Sequence, residues 1–333
     1  MDFGFIFSSA AGELFSPTTA AYALATLGLA VHFGYSGLLN FGQAGFMAVG
    51  AYGFAISTLT FGVPFFIGLL IAVVCSAIFA LLLGIPTLRL RADYLAIVTI
   101  AAAEIVRYIL NSVRFTWLFG GNDGLQGFTD DFRQLGDRFI ASDRRFSILG
   151  QPFTGYNMFV MIVGWLLVAL ASVTVWLLMR SPWGRVIKSI REDEDAARSL
   201  GKNIFAYKMQ SLVIGGVIGA FGGAVIVLGI QAAQPNTYGT PFTFFAWTIL
   251  ILGGVGRVKG PIIGSIIFWF LITFAEGVLA GATANDYLPG WLVNTNNFGQ
   301  WRFMLTGLAL ALLVIFRPQG IFGDKREQAF DVR

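Results

Sequence analysis

Residues 180–208 read RSPWGRVIKSIREDEDAARSLGKNIFAYK and lie between two long apolar stretches of the chain. The segment holds seven Lys or Arg residues and four acidic residues in 29 positions. A charged, helix-favouring segment between two apolar stretches is typical of a membrane protein that contacts a partner in the cytosol. The chain is therefore predicted to be one part of a larger assembly.

The composition places the chain in a membrane. Of its 333 residues, 56% are hydrophobic and only 12% are charged, whereas soluble proteins average about 25% charged residues. A water-soluble fold could not cover its surface with so few charges. The net charge of +4 comes from loops rather than from one basic surface, which argues against a nucleic-acid partner. The single cysteine, Cys75, can form no disulfide within the chain.

Apolar runs predict an all-α membrane protein with about nine transmembrane helices, in a range of about eight to ten, because a span needs about 20 apolar residues. Backbone groups in lipid must be satisfied within their own segment, which favours helices over strands. The predicted spans are 18–39, 42–60, 62–84, 94–112, 157–179, 209–231, 243–256, 260–280 and 302–316. Gly34, Gly37, Gly42 and Gly45 interrupt the first two spans. We therefore expect a broken or re-entrant helix there, facing protein or a water-filled path.

The positions of Lys and Arg predict the orientation. Basic residues gather in polar stretches that we expect to be cytosolic: 85–93, 180–208, 257–259 and the tail 317–333. The loops near residue 60 and at 231–242 and 281–300 contain no Lys or Arg and are expected outside. The longer loop 113–156 balances five Arg with five Asp and is predicted to be extracytoplasmic. This arrangement places the N-terminus outside and the C-terminus in the cytosol.

Helix signals within 180–208 predict two short helices joined at a bend. Ser181 and Pro182 form a helix-start signal, and the acidic run 192–195 suits the N-terminus of a second helix. Gly201 suits a C-terminal cap or turn. On composition alone, an ordinary solvated loop is the alternative.

The residues Asp195-Ala196-Ala197, followed after three positions by Gly201, are similar to the EAA loop of ABC importer permeases, with Asp195 in place of Glu. In that family a short coupling helix from this loop docks into a groove on a cytosolic ATPase. The resemblance assigns the ATPase-coupling role to Gly184, Arg185, Arg191, Glu192, Asp195, Ala196, Ala197 and Gly201.

Further blocks resemble, in the family's order, the LivH/LivM-type permeases of branched-chain amino acid ABC importers, and are closest to the LivM branch. They are GYSGLLNFGQAGFMAVGAY (34–52), LRLRADYLAIVTIAAAEIVRYILN (88–111), GGNDGLQG (120–127), GRVIKSIREDEDAARSLG (184–201), GGVGRVKGPIIGSII (253–267) and RPQGIFG (317–323). Two positions depart from the family's pattern, since Ala92 stands where Gly is common and Gly120 where Thr is common. The resemblance covers roughly residues 30–323.

This resemblance implies a single permease domain over 1–333 in a bacterial cytoplasmic (inner) membrane, with no cofactor bound by the chain itself. The implied partners are two cytosolic ABC ATPase subunits that use ATP and Mg²⁺, a homologous permease subunit in a heterodimer, and an extracytoplasmic substrate-binding protein. Branched-chain amino acids are the implied solutes. Relatives that import urea, short amides or other amino acids leave those solutes open as alternatives.

Glycines at four-residue spacing predict close helix packing, because small residues on one helix face let two backbones approach. Two sets have this spacing: Gly215, Gly219 and Gly223, and Gly256, Gly260 and Gly264. The same faces could instead form a movable seam around the translocation path, and the spacing does not separate these two interpretations.

Ionisable residues inside the predicted spans are functional candidates by default. Glu104 and Arg107 are three positions apart and can neutralise one another on a helix, so we expect a structural pair. The rival function, an ion-coupled secondary transporter, needs a free titratable site near the middle of the membrane, and a paired Glu104 does not supply one. His32 is expected to be a satisfied polar residue rather than a ligand.

Absent motifs argue against catalysis. The sequence has no G-x-x-x-x-G-K-[ST] phosphate-binding loop, and its single histidine excludes a His-based metal pair. No Ser/His/Asp set is placed as a nucleophilic site. We therefore expect a permease subunit without enzymatic activity of its own.

Overall fold

A computed structural model describes residues 3–148, 150–284, 298–316 and 320–323 of the chain. These residues fold mainly into α-helices. In chain order they are α1 (Phe3–Glu13), α2 (Pro17–Leu29), α3 (Gln43–Phe61), α4 (Phe65–Thr87), α5 (Ala92–Leu110), α6 (Thr116–Phe119), α7 (Asp130–Asp137), α8 (Gly155–Arg180), α9 (Pro182–Glu192), α10 (Glu194–Ser199), α11 (Ile204–Ile230), α12 (Thr240–Gly253), α13 (Lys259–Ala284) and α14 (Phe298–Phe316). A π-helix at Ala30–Tyr35 continues α2, and 3-10 turns lie at Val113–Phe115, Gly121–Asp123 and Pro235–Tyr238.

Two small antiparallel strand pairs accompany the helices. β1 (Leu125–Gln126) pairs with β4 (Ala232–Ala233), with Leu125 opposite Ala233. β2 (Arg145–Ile148) and β3 (Gln151–Thr154) form a hairpin. The first pair ties the predicted loop 113–156 to the end of α11, so this loop is folded onto the helices rather than hanging free of them.

Each predicted span falls on a helix. In chain order, the nine predicted spans fall on α2 with its π-helix, α3, α4, α5, α8, α11, α12, α13 and α14. Within the described residues, five helices are by themselves long and apolar enough to cross a membrane: α3, α4, α8, α11 and α13. The number rises to seven if each of two bent helix pairs is counted as one span. One pair is α1 with α2 and its π-helix, bent by 47°, and the other is α5 with the short helical segment Val113–Phe119, bent by 56°. The helical, multi-pass character is confirmed, and the predicted number of nine spans is not.

Two helices differ from the expectation for a simple span. α12 has 14 residues, which at 1.5 Å per residue is about 21 Å and shorter than the hydrocarbon core of a bilayer. α1 has 11 residues and lies outside the predicted spans, because a run of that length is too short to be recognised as a transmembrane segment.

The interruption predicted in the region of the first two spans coincides with a non-helical segment, residues 36–42. The π-helix ends at Tyr35, Gly37 takes a left-handed φ of +70°, and α3 begins only at Gln43. Residues 36–42 have no regular helical ladder. Some of their N–H groups bond locally, as that of Leu38 does to the His32 carbonyl at 2.8 Å, and other elements supply further partners.

Neighbouring spans supply those partners. The Phe41 N–H donates to Thr99 Oγ1 of α5 at 3.0 Å. The Trp247 indole N–H of α12 donates to the Asn40 carbonyl at 3.1 Å. The interrupted segment is therefore held by side chains from two helices on either side of it.

The fully buried His32 completes this arrangement. Its Nδ1 accepts from the Asn40 amide at 2.9 Å, and its Nε2 then donates to the Leu212 carbonyl of α11 at 3.1 Å. Both ring nitrogens have a partner, so the prediction that His32 is a satisfied polar residue is confirmed.

Candidate functional site

The two short helices predicted within 180–208 are α9 and α10. Ser181 caps α9, since its Oγ accepts the Gly184 N–H at 3.4 Å, and Pro182 occupies the first helical position. At the bend, Asp193 is extended, and its Oδ1 accepts the N–H groups of Asp195 and Ala196 at 2.9 Å each. A side-chain acceptor at this position is what starts a new helix. The bend is thus built into the sequence at Asp193.

One face of α9 and α10 is buried against the ends of the spans. Ile187, Ile190 and Ala197 are at most 2% exposed. Gly184 lies against the end of α8, where a Cβ would be 2.5 Å from the Leu178 carbonyl oxygen. Of the predicted coupling residues, Gly184 and Ala197 therefore have packing roles.

The opposite face is open to solvent. Arg185, Glu192, Asp195 and Ala196 are exposed. Asp195 pairs with Arg198 at 2.8 Å, but the two side chains are 89% and 65% exposed, and exposed pairs of this kind contribute about 0–1 kcal/mol. This ion pair does not hold the helix in place.

An apolar tip follows α10. Leu200 is 77% exposed, and Gly201 turns the chain with φ +74° and no atom within 4 Å of the position of its missing Cβ. This position leaves the leucine side chain available for contact with a partner, where its burial would be favourable. Sequence reasoning identified Gly201 and missed Leu200, whose signal was its position directly before the turn.

Arg191 points the other way, toward the spans. Its Nη1 donates to the Gly34 carbonyl of the π-helix, and Lys188 lies 5.7 Å from the centre of the Tyr35 ring. Sequence reasoning placed Arg191 on the ATPase-coupling loop without this contact, since the two partners are 157 positions apart.

A cavity of about 1050 Å³ lies beside α10. Basic residues from two stretches predicted to be cytosolic line it, namely Arg89, Arg91, Arg198, Lys202 and Lys208. Glu194 also lines the cavity and forms an ion pair with Lys208. The stretches 85–93 and 180–208 therefore lie at the same end of the helix bundle, as their shared predicted orientation requires.

Three blocks of the resemblance meet at this end. A Cβ at Gly34 would lie 3.2 Å from the Gly256 nitrogen. The Ile321 and Phe322 N–H groups donate to the carbonyls of Leu252 (2.9 Å) and Gly253 (3.1 Å). Residues 34–52, 253–267 and 320–323 are thus in contact, whereas most of the predicted cytosolic tail 317–333 lies outside the described residues.

The glycines of α11 form a tight seam. A Cβ at Gly215 would lie 2.3 Å from His32 Nε2, one at Gly219 would lie 2.4 Å from Gln43 Nε2, and one at Gly223 would lie 2.1 Å from the Met47 carbonyl oxygen. This set of glycines therefore packs closely against the first two spans.

The second glycine set is only partly on a helix face. Gly260 and Gly264 lie on α13 and pack against the end of α12, where Cβ atoms would be 2.3 Å from the Gly254 oxygen and 2.5 Å from the Ile249 oxygen. Gly256 does not lie on this face. α13 begins at Lys259, and Gly256 belongs to the preceding turn with φ +90°. The prediction of one shared face is wrong for Gly256, because four-residue spacing is the same in a turn and in a helix.

Glu104 and Arg107 form the predicted pair, with Arg107 Nε 2.7 Å from Glu104 Oε2. Glu104 Oε1 also accepts from Thr240, at 3.1 Å from its N–H and 2.6 Å from its hydroxyl. Arg107 Nη1 donates to Asn236 Oδ1 at 3.1 Å. A carboxylate at the N-terminus of a helix is favourable, so Glu104 both neutralises Arg107 and caps α12.

Comparison with known proteins gives a consistent result. The family described as "Branched-chain amino acid transport system / permease component" matches residues 15–293. The chain is 31% identical to the high-affinity branched-chain amino acid transport system permease protein LivM of Salmonella typhimurium, over 93% of this chain and 69% of that one. It is 26% identical to the probable LivM of Methanocaldococcus jannaschii, over 91% of each chain. It is 23% identical to the nucleoside ABC transporter permease protein NupC of Lactococcus lactis, over 84% of each chain. The chain therefore belongs to the permease family of branched-chain amino acid transport systems.

Proposed function

We propose that this chain is the non-catalytic transmembrane permease subunit of an ATP-driven importer of branched-chain amino acids. Family membership and the LivM relatives support this function. The observation that carries it is the exposed apolar tip at Leu200 and Gly201, at the end of two short helices whose other face is anchored to the spans. Such a segment suits docking into a partner and transmitting its movement.

The exposed face of α9 and α10 is the docking surface for a cytosolic ATPase subunit. Leu200 enters an apolar groove of the ATPase, where its burial would contribute about 1.5–3 kcal/mol. ATP and Mg²⁺ are bound and used by the ATPase subunits, and this chain binds neither. Closure of two ATPase subunits on ATP moves α9 and α10, and with them the spans to which they are anchored.

The complete importer contains further partners. A homologous permease subunit supplies the other half of the path, as a heterodimer, and an extracytoplasmic binding protein delivers the solute to the side of the loops 113–156 and 231–242. The complex lies in a bacterial inner membrane with the N-terminus of this chain outside and its C-terminus in the cytosol. The meeting of 85–93 and 180–208 around one basic cavity supports this orientation.

The similarity to LivM proteins favours branched-chain amino acids as the solutes of this chain, rather than urea, short amides or other amino acids. The lower identity to a nucleoside permease shows that related permeases work on different solutes. Delivery by a binding protein explains how this happens, because the permease then needs only weak contacts with a solute that has already been selected.

A mild-detergent pull-down of the chain from its native membrane, followed by an ATPase assay, tests the proposal. We expect a Walker-motif ATPase to be recovered with the wild-type chain and with Leu200→Met, and to be lost with Leu200→Asp. Membrane levels of the three chains should be equal, because residue 200 is exposed and touches little of its own chain. Full retention of the ATPase by Leu200→Asp would place docking elsewhere. The proposal would be wrong if the chain purified alone and used an ion gradient, rather than ATP, to drive solute transport.

Uptake assays identify the solute. Cells that depend on this importer should take up labelled leucine, isoleucine and valine in an ATP-dependent manner, and the three should compete with one another. Competition by urea or acetamide, with none by leucine, would move the assignment to the corresponding alternative.

A further inference from the structure

A residue of the coupling segment closes the end of the broken span. Helix ends leave carbonyl groups without backbone partners, and a basic side chain there can satisfy them. At the end of the π-helix this partner is Arg191 of α9, which donates to the Gly34 carbonyl. The chain then passes beneath the arginine, since a Cβ at Gly37 would lie 3.3 Å from Arg191 Cγ.

The contact is sheltered rather than incidental. Gly34 is buried and Arg191 is half-buried, so the hydrogen bond is less exposed to water than the ion pair between Asp195 and Arg198 on the outer face. A charge-assisted hydrogen bond in such surroundings is stronger than an exposed one. Arg191 therefore gives α9 a sheltered polar link to the first span.

The broken span connects onward to the other helices. The Ser211 hydroxyl of α11 has two acceptors for its single hydrogen, since its Oγ lies 2.9 Å from Ser36 Oγ and 3.1 Å from the Val31 carbonyl oxygen. Beyond the break, Phe41 is bonded to Thr99 of α5. A shift of residues 34–41 as a unit would therefore change hydrogen bonds to α5 and α11. π-helical turns inside α-helices are frequent at functional sites, and this one lies between the coupling segment and two spans.

We infer that Arg191 is a positioning residue that transmits movement of α9 to the broken span, and through it to α5 and α11. This inference rests on the proposed function. It assigns to one hydrogen bond the step between ATPase closure and rearrangement of the path. The bond has this effect only if it differs between the two conformations of the path, because an interaction equal in both states shifts no equilibrium.

The test compares Arg191→Gln and Arg191→Lys in the complete importer, purified with its ATPases and reconstituted with its binding protein. Gln is uncharged and too short to reach the Gly34 carbonyl in the same way, whereas Lys keeps the positive charge and can still donate a hydrogen bond. Because Arg191 faces the spans rather than the exposed face of α9 and α10, we expect Arg191→Gln to keep the ATPases bound and to lose about tenfold in leucine uptake per ATP hydrolysed, the scale of one charge-assisted hydrogen bond. Arg191→Lys should recover part of that ratio.

Arg180→Gln is the matched control for loss of a positive charge at this end of the molecule. Arg180 is the last residue of α8, before the two short helices, and stacks on Trp176 at 3.9 Å. Its removal should leave uptake per ATP within about twofold of wild type, since exposed surface contacts contribute little.

Two results would overturn the inference. One is a wild-type ratio of uptake to hydrolysis in Arg191→Gln. The other is a parallel loss of assembly and uptake in both Arg191 variants, which would mean that Arg191 only stabilises the fold. Failure of the proposed function would be visible earlier, as a wild-type chain that recruits no ATPase or shows no ATP-dependent uptake.

Discussion

Adding one methyl group at Gly215 tests whether α11 must approach the first span at backbone distance. A Cβ at this position would lie 2.3 Å from His32 Nε2 and 2.5 Å from the Gly28 carbonyl oxygen. Favourable contact requires about 3.5 Å. In Gly215→Ala the two helices must therefore separate by about 1 Å, or His32 must move and leave its hydrogen-bond partners.

The expected loss of stability follows from these contacts. Overpacking a tight site costs about 1–3 kcal/mol. Movement of His32 also weakens its 3.1 Å bond to the Leu212 carbonyl, and a buried hydrogen bond contributes about 1 kcal/mol. Replacing Gly by Ala inside a helix gains about 0.5–1 kcal/mol. The free energy of unfolding of Gly215→Ala should therefore fall by about 1–3 kcal/mol.

Gly307→Ala on α14 is the matched control, since no atom lies within 4 Å of a Cβ at that position. It should leave the free energy of unfolding unchanged or raise it by up to about 1 kcal/mol. Unfolding of the purified chain in mixed micelles of increasing SDS fraction, followed by tryptophan fluorescence, measures both variants. Equal stability of Gly215→Ala and wild type, or an equal loss in both variants, would refute the packing argument.

Three further predictions concern other contacts of the fold. Glu104→Gln should lower the free energy of unfolding by about 1–2 kcal/mol, because it weakens the link between Arg107 and Thr240; loss of ion-gradient-dependent uptake in a fully assembled complex would instead favour a transport role for this residue. Gln231 has φ +60°, and both Gln231→Gly and Gln231→Ala lose the exposed 3.0 Å bond from Arg133; only glycine relieves the strain of about 1 kcal/mol, so the thermal unfolding temperature of Gln231→Gly should be higher than that of Gln231→Ala, and equal temperatures would show that the backbone there is not strained. In a Cys75→Ser background, Gln234→Cys should react with a membrane-impermeant maleimide in intact cells and Ser199→Cys only after permeabilisation; the reverse pattern would invert the orientation.

Local sequence patterns predicted the features that depend on local interactions. Hydropathy located α4 and α11 because an apolar run is visible within a single segment. The caps at Ser181 and Asp193 involve residues two or three positions away, so a short window contains all of their chemistry. The same holds for the turn at Gly201, where only the backbone conformation matters.

Tertiary contacts could not be predicted from local sequence patterns, because their partners are far apart in the chain. The Thr240 partner of Glu104 is 136 positions away, and nothing near Glu104 indicates that it caps another helix. Gly256 was assigned to a helix face because a spacing of four residues is the same in a turn and in a helix. Leu200 could be identified as exposed only after Ile187 and Ile190 had fixed which face of the two short helices is buried.

The break in the first span shows how local and tertiary contributions combine. Gly34 and Gly37 allow the backbone to leave the helix. They are not sufficient to end it, because glycines are also common in continuous transmembrane helices. A broken span survives in a membrane only where other elements replace each lost backbone hydrogen bond. Here local turns satisfy some of those groups, and Thr99, Trp247 and Arg191 from other helices supply further partners. The conformation of this segment should therefore become fully stable only after α5, α9 and α12 have packed against it, so a movement of any of these three helices would act on it.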